Sequence, residues 1–199
     1  LQAIGFAIVL SMLSTQVLFA VTADYLAGPP GVPIPPERVT LFEVNIGIGV
    51  VAFLALSAFF HFLIASPWFF GRYKNGLLAN RNYFRWVEYS LSSSIMIWLI
   101  LAINGVTDIA ALFSIFAVNA AMILFGALQE KYEQPGSGGL LPFIFGSMVG
   151  IVPWILILIY FLRPGSASEV AAPDFVVGIV ISLFVFFNTF AINQWLQYK

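Results

Sequence analysis

Residues 141–162 read LPFIFGSMVGIVPWILILIYFL, and this stretch contains no Asp, Glu, Lys or Arg. A helix needs ~20 residues to cross a hydrocarbon layer ~30 Å thick, so the stretch is long enough to span a bilayer. An uncharged apolar run of this length is typical of a transmembrane helix. It therefore predicts that the chain is an integral membrane protein.

The composition of the whole chain supports the same class. Of 199 residues, 61% are hydrophobic and 9% are charged, whereas an ordinary soluble domain has roughly 25% charged residues. The charged residues collect between long apolar runs. We therefore predict an all-α fold, a polytopic membrane helix bundle forming one domain over residues 1–199. Six spans are predicted, at approximately 1–23, 42–65, 83–103, 108–129, 141–162 and 173–198.

The segment between the first two predicted spans, residues 24–41, is rich in proline and glycine. Proline at this density prevents helix formation, so the segment is predicted to be a loop. At roughly 18 residues it is long enough to hold ordered turn or hairpin structure.

Several classes of function are excluded by the residues that are absent. The chain has no cysteine, which excludes disulfides, thiol catalysis and cysteine-ligated metals. His61 is the single histidine, so we predict no metal site. No pairing of a nucleophile with a base is apparent, and we predict that the protein is not an enzyme. No basic stripe suggests nucleic-acid binding.

The distribution of Lys and Arg predicts the orientation in the membrane. Six of the eight basic residues fall on one side of the predicted spans: Arg72, Lys74, Arg81, Arg85, Lys131 and Lys199. The opposite side has only Arg38 and Arg163. Short loops rich in Lys and Arg stay in the cytoplasm. We therefore predict a multi-pass protein of the cell membrane with a cytoplasmic N-terminus.

Glu88 is the only acid well inside a predicted span. An ionisable group there is costly, so it indicates a functional site with a partner. The structural alternative is that Glu88 pairs with Arg85 or extends to the interface. Ser92 follows one helical turn later, on the same face, and could donate a hydrogen bond to the carboxylate.

His61 lies in the second predicted span, and Ser57 precedes it by four residues on the same face. A lone histidine here is either a hydrogen-bonded packing residue or a proton acceptor in a polar site. His61 and Glu88 lie near the same ends of adjacent antiparallel helices, which favours a shared polar site. These residues fit a ligand-binding or photoreceptive bundle, or a proton conductor with a Glu–His relay.

Four segments resemble heliorhodopsins, and the resemblance extends over essentially the whole chain. They are residues 85–92 (RWVEYSLS), 119–126 (NAAMILFG), 150–154 (GIVPW) and 186–199 (FFNTFAINQWLQYK). Heliorhodopsins are seven-helix retinal proteins with a cytoplasmic N-terminus. The charge distribution predicts that orientation independently.

The resemblance implies a role for each matching residue. Glu88 corresponds to the counterion of the protonated retinal Schiff base, and Ser92 to a serine bonded to the counterion region. His61 corresponds to a pocket histidine associated with proton movement. The other residues matching the pocket of all-trans-retinal are Tyr89, Asn119, Met122, Trp154, Phe187 and Gln194. The family also implies a light sensor that signals without pumping ions, a homodimer and an unidentified signalling partner.

The sequence departs from the family pattern in its lysines. Retinal attaches to a lysine on the family's seventh helix, but Lys74 and Lys131 lie in predicted loops and Lys199 ends the sixth span. We therefore expect a partial heliorhodopsin sequence, truncated before helix seven and lacking a segment before Leu1. As written, it is not expected to hold retinal covalently. The remaining alternatives are a light-gated or passive proton channel using Glu88 and His61, and a structural remnant without retinal.

Overall fold

The computed structural model of the chain describes residues 1–12, 18–166 and 173–199. These residues form helices and one two-stranded sheet. In chain order the elements are α1 (Gln2–Met12), β1 (Leu18–Tyr25), β2 (Glu37–Asn45), α2 (Ile46–Ala65), α3 (Pro67–Leu78), α4 (Tyr83–Ile103), α5 (Ile109–Tyr132), α6 (Leu141–Leu162) and α7 (Asp174–Tyr198). Five helices in the described residues, α2 and α4 to α7, are long and apolar enough to cross a membrane. The prediction of a helical membrane bundle is confirmed.

The bounds predicted for the first span are wrong. Only Gln2–Met12 of residues 1–23 is described as helical, residues 13–17 lie outside the described residues, and Leu18–Tyr25 is a strand. The second span also begins later than predicted, at Ile46, because Glu37–Asn45 forms the partner strand. Hydropathy alone does not separate these strands from the helices beside them, because both are rich in apolar residues.

The two strands form an antiparallel hairpin that closes the proline-rich segment. An irregularity between Val21 and Thr22 shifts the register. Beyond it, Arg38 donates two hydrogen bonds of 2.8 Å to the carboxylate of Asp24. These bonds, together with the positive charge of Arg38, hold the pKa of Asp24 below its ordinary value. The hairpin anticipated between the first two spans is therefore present, and an ion pair ties its two strands together.

The hairpin is attached to the bundle through β1. The backbone N–H of Thr22 donates to the carbonyl of Thr107 at 2.8 Å, and the two threonine hydroxyls are 3.1 Å apart. Val21 is almost fully buried and packs with the apolar core shared by α4, α5 and α6. One strand of the hairpin is thereby fixed to the turn between α4 and α5.

A further helix, α3, occupies part of what was predicted to be a loop between the second and third spans. Ser66 has an extended backbone conformation, which ends α2, and Pro67 then opens α3 at its first position. Proline is favourable there because its missing N–H has no helical acceptor. Helix α2 ends at Ala65, the residue at which the second span was predicted to end, and the additional helix is a finding of the structure.

The helices α4, α5 and α6 form the packed centre of the bundle, whereas α7 packs less closely. The core includes Ile97 and Leu101 of α4, Leu112 of α5 and Ile157 of α6, each at most 1% exposed. Within α7, only Tyr198 is buried. Because α7 does not close tightly against its neighbours, a cavity remains between it and the other three helices.

Candidate functional site

The cavity between α4, α5, α6 and α7 has a volume of about 590 Å³. This is within the range of ~300–1,000 Å³ found for pockets that hold small organic ligands. Its walls are mainly apolar and aromatic, with a few hydroxyl and amide groups. Six of the residues matched to the retinal pocket line it: Tyr89, Ser92, Met122, Trp154, Phe187 and Gln194.

Aromatic contacts hold α7 over the cavity. The Trp154 ring of α6 meets Phe184 and Phe187 edge to face, with centroids 5.1 and 5.4 Å apart. Farther along α7, Phe190 meets Tyr89 in the same way at 5.7 Å. Edge-to-face pairs of this kind favour fixed ring orientations. The cavity therefore has defined aromatic walls.

A hydrogen bond joins α7 to α5 at the wall of the cavity, between two residues that line it. The Gln194 amide of α7 donates to the carbonyl of Gly126 on α5 at 3.2 Å. A Cβ atom at Gly126 would come within 2.6 Å of two carbon atoms of the Trp86 indole. The absence of a side chain at Gly126 therefore lets Trp86 pack directly on the α5 backbone next to this bond.

Glu88 lies beside the cavity and faces α2. Its side chain is buried, with 8% exposure, and Ser57 of α2 donates a hydrogen bond of 2.7 Å to its Oε1. Glu88 is not among the residues that line the cavity, but Ser92, one helical turn further along α4, is. Among the described residues, no hydrogen bond joins Ser92 to Glu88. The donor to Glu88 is therefore Ser57 of α2. It is not Ser92, which the spacing along α4 had suggested as the donor.

His61 lies outside the cavity, on an exposed part of α2. Its Nδ1 is 2.8 Å from the carbonyl oxygen of Ser57, so Nδ1 carries the hydrogen in this contact. Ser57 thereby contacts both His61, through its carbonyl, and Glu88, through its hydroxyl. The structure brings these predicted site residues together through Ser57, without a direct contact between them.

Asn119 is fully buried between α4 and α5 and does not line the cavity. Its amide nitrogen donates to the hydroxyl oxygens of Ser93 and Ser94, at 2.8 and 3.1 Å. The Asn119 carbonyl oxygen has no hydrogen-bond partner within the described parts of the chain. Asn119 thus joins two helices immediately behind Ser93, which itself lines the cavity.

A second polar cluster lies where α4 begins and α5 ends. Glu130 accepts hydrogen bonds from the backbone N–H of Asn82, at 3.0 Å, and from the Trp86 indole N–H. Arg85 lies 3.6 Å from the same carboxylate and stacks on the Trp86 ring at 4.6 Å. Arg85 therefore pairs with Glu130, so the suggestion that it pairs with Glu88 is wrong.

Two residues of these clusters were not assigned to the site from sequence. Ser57 was noted only as a neighbour of His61, because the sequence around a serine on an apolar helix does not show which residue of another helix its hydroxyl will bind. Glu130 lies beside Gln129 and Lys131, and such a polar run at a helix end is typical of a solvated terminus. The two hydrogen-bond donors and the guanidinium of Arg85 that contact Glu130 come from the start of α4 and the residue before it, which sequence spacing does not reveal.

The cavity fits an apolar ligand, and the buried carboxylate of Glu88 is the neighbour in sequence of Tyr89, which lines the cavity. Its aromatic and aliphatic walls suit a polyene, and the neighbouring carboxylate suits a positive charge. All three lysines are in the described part of the chain, and none of them lines the cavity. The residues present therefore fit retinal as a ligand but do not include the amine to which it would attach.

The sequence profile of the Heliorhodopsin family matches residues 1–199. No curated protein matches the chain closely enough for comparison.

Proposed function

Because the chain belongs to the heliorhodopsin family, a family of retinal-binding membrane photoreceptors, we propose that it is a light sensor that signals without pumping ions. The observation that carries this proposal is the aromatic cavity beside the buried carboxylate of Glu88. Signalling fits a cavity covered by α7, since a helix with little buried surface can move when the shape of the ligand changes.

Retinal, when bound, supplies a change of shape on absorbing light, and the residues of this chain determine its surroundings. Trp154 and Phe187 are proposed to pack along the polyene, and Met122 to fill the space between α5 and α6. Glu88 is proposed to stabilise a positive nitrogen through its negative charge. The hydrogen bond from Ser57 fixes the carboxylate in that role.

The N-terminus is proposed to be cytoplasmic because most basic residues lie on one side of the spans. A homodimer and an unidentified signalling partner are proposed from the family alone. The lipid bilayer is proposed to surround the bundle, because five of the described helices are long and apolar enough to cross it.

Filling the cavity tests whether it binds retinal. Ala191 lines the cavity, so Ala191→Phe is expected to weaken retinal binding at least tenfold by occupying ligand volume, corresponding to about 1.4 kcal/mol. The measurement is quenching of tryptophan fluorescence by all-trans-retinal, because Trp154 lines the same cavity. Val185→Phe, on a side of α7 that does not line the cavity, is the matched control and should bind normally. Equal affinities for the two variants would contradict the assignment of the cavity.

A second candidate function is proton conduction, favoured by the contacts that link His61, Ser57 and Glu88. In vesicles containing a trapped pH dye, a channel would give proton flux, in darkness or under light, that Glu88→Gln abolishes. Ser57→Ala should also reduce that flux, because it removes the hydroxyl between the two groups. The sensor proposal instead predicts, with retinal supplied, flux no greater than that of vesicles without protein. Flux sensitive to both substitutions would replace the sensor proposal with the channel.

A further inference from the structure

We propose that α3 lies in the headgroup layer of the bilayer and binds anionic phospholipid headgroups. The inference rests on the position of α3 at the end of a complete span, the different chemistry of its three faces, and an uncompensated set of basic side chains around it.

The preceding helix fixes where α3 begins. Helix α2 contains 20 residues, which cover about 30 Å at 1.5 Å per residue and are enough to cross the hydrocarbon layer. The extended conformation of Ser66 then changes the direction of the chain. Helix α3 therefore starts at the membrane boundary. It is anchored there by Phe69 and Tyr73, whose rings pack edge to face on Phe84 in the first turn of α4.

The two remaining faces of α3 differ in chemistry. Phe70, Lys74, Leu77 and Leu78 follow the i, i+4, i+7, i+8 pattern of one helical stripe. Phe70 is 53% exposed and Leu78 is 75% exposed, so this apolar stripe has little cover within the protein. Lys74 can extend its ammonium group from such a stripe toward headgroups while its carbon chain stays apolar.

The third stripe contains Trp68, Arg72 and Asn75, at i, i+4 and i+7. Trp68 is 83% exposed in the first turn of α3. Tryptophan is enriched at the level of the headgroups, where its ring is apolar and its N–H is hydrated. Arg72 and Asn75 suit the aqueous side of that layer. With the apolar stripe toward the hydrocarbon and this stripe toward the headgroups and water, α3 lies parallel to the membrane plane.

The charges around α3 favour an anionic occupant. Arg72 and Lys74 belong to α3, Arg81 follows it, and Arg81 donates to the backbone carbonyl of Lys131 at 3.4 Å. Residues 67–87 contain no Asp or Glu. The nearby carboxylate of Glu130 is already engaged by Asn82, Arg85 and Trp86. Phosphate groups of anionic lipids supply the missing negative charge.

Nitroxide labelling tests both the position of α3 and its lipid preference. The natural chain contains no cysteine, so Phe70→Cys and Asn75→Cys each allow labelling at one site. Each labelled protein is reconstituted in phosphatidylcholine vesicles and in vesicles containing equal amounts of phosphatidylcholine and phosphatidylglycerol. Collision rates with oxygen, which concentrates in the bilayer, are compared with those of a water-soluble nickel complex.

We expect the oxygen-to-nickel ratio at position 70 to exceed that at position 75 several-fold. The difference should grow in the vesicles containing phosphatidylglycerol and shrink at high salt, which screens the lipid charge. Adding Arg72→Gln and Lys74→Gln should remove the dependence on phosphatidylglycerol. Equal ratios at the two positions would overturn the proposal. A ratio at position 70 that does not depend on lipid charge would overturn it as well.

Discussion

Glu88→Gln is expected to lower, by about 2–4 units, the pH at which a retinal imine bound in the cavity loses its proton. Removing one member of a buried charge pair costs about 3–5 kcal/mol, and each pKa unit corresponds to about 1.36 kcal/mol. Glu88 is buried and held by Ser57, so little water is available to replace its charge. Glutamine keeps the shape of the side chain but removes that charge.

The measurement uses all-trans-retinal supplied as its propylimine, because none of the three lysines lines the cavity. The amine part of this reagent takes the place of a lysine side chain, and the protonated form absorbs at longer wavelength. Glu43→Gln is the matched control, since Glu43 is an exposed acid on β2. If Glu88→Gln and Glu43→Gln titrate at the same pH, Glu88 is not the counterion.

Glu130→Ala is expected to destabilise the protein by about 2–3 kcal/mol, because two hydrogen-bond donors are left without an acceptor and the partly exposed Arg85 loses its ion-pair partner. The Trp86 indole N–H and the Asn82 backbone N–H lose their acceptor at the same time. Arg85 Nε already has no hydrogen-bond partner in the described residues. Arg85 therefore has no existing hydrogen bond at Nε that would offset the loss of the Glu130 carboxylate.

Thermal unfolding in detergent, followed by near-ultraviolet circular dichroism, measures this effect. Glu130→Gln should give a smaller loss, because its carbonyl oxygen can still accept one of the hydrogen bonds. Glu133→Ala removes a carboxylate three residues later that makes no hydrogen bond or ion pair within the described residues, and it should leave the Tm nearly unchanged. Equal Tm values for Glu130→Ala and Glu133→Ala would contradict the proposed role of the cluster.

The apolar spans could be predicted from sequence because lipid requires long runs without charge. The runs ending at Ala65 and at Leu162 show this, since each predicted end agrees with the structure. The strand Leu18–Tyr25 could not be distinguished in the same way. Its pairing with Glu37–Asn45 depends on contacts across the proline-rich loop, and its apolar residues continue the pattern of the preceding helix.

Residues of the candidate site could be predicted where the pattern within a single helix was informative. Glu88 was recognisable because an acid within a span is costly, and Ser92 because it follows one turn later. The contacts of Ser57 with Glu88 and of Glu130 with Trp86 join residues 31 and 44 positions apart. Such contacts depend on how the helices are arranged, which periodicity within one helix does not specify. Glu88, His61 and Asn119 also show a limit, because their polarity was evident from the sequence whereas their positions outside the set of residues that line the cavity were not.

The visible spectrum of the unmodified protein with retinal propylimine tests the central claim most directly. A retinal cavity beside Glu88 predicts a visible band at neutral pH that converts to near-ultraviolet absorption as the pH rises. That conversion would mean that a protonated nitrogen is stabilised within the protein. If the reagent shows only near-ultraviolet absorption at neutral pH, the cavity does not hold retinal beside a counterion, and the photoreceptor account of this chain is wrong.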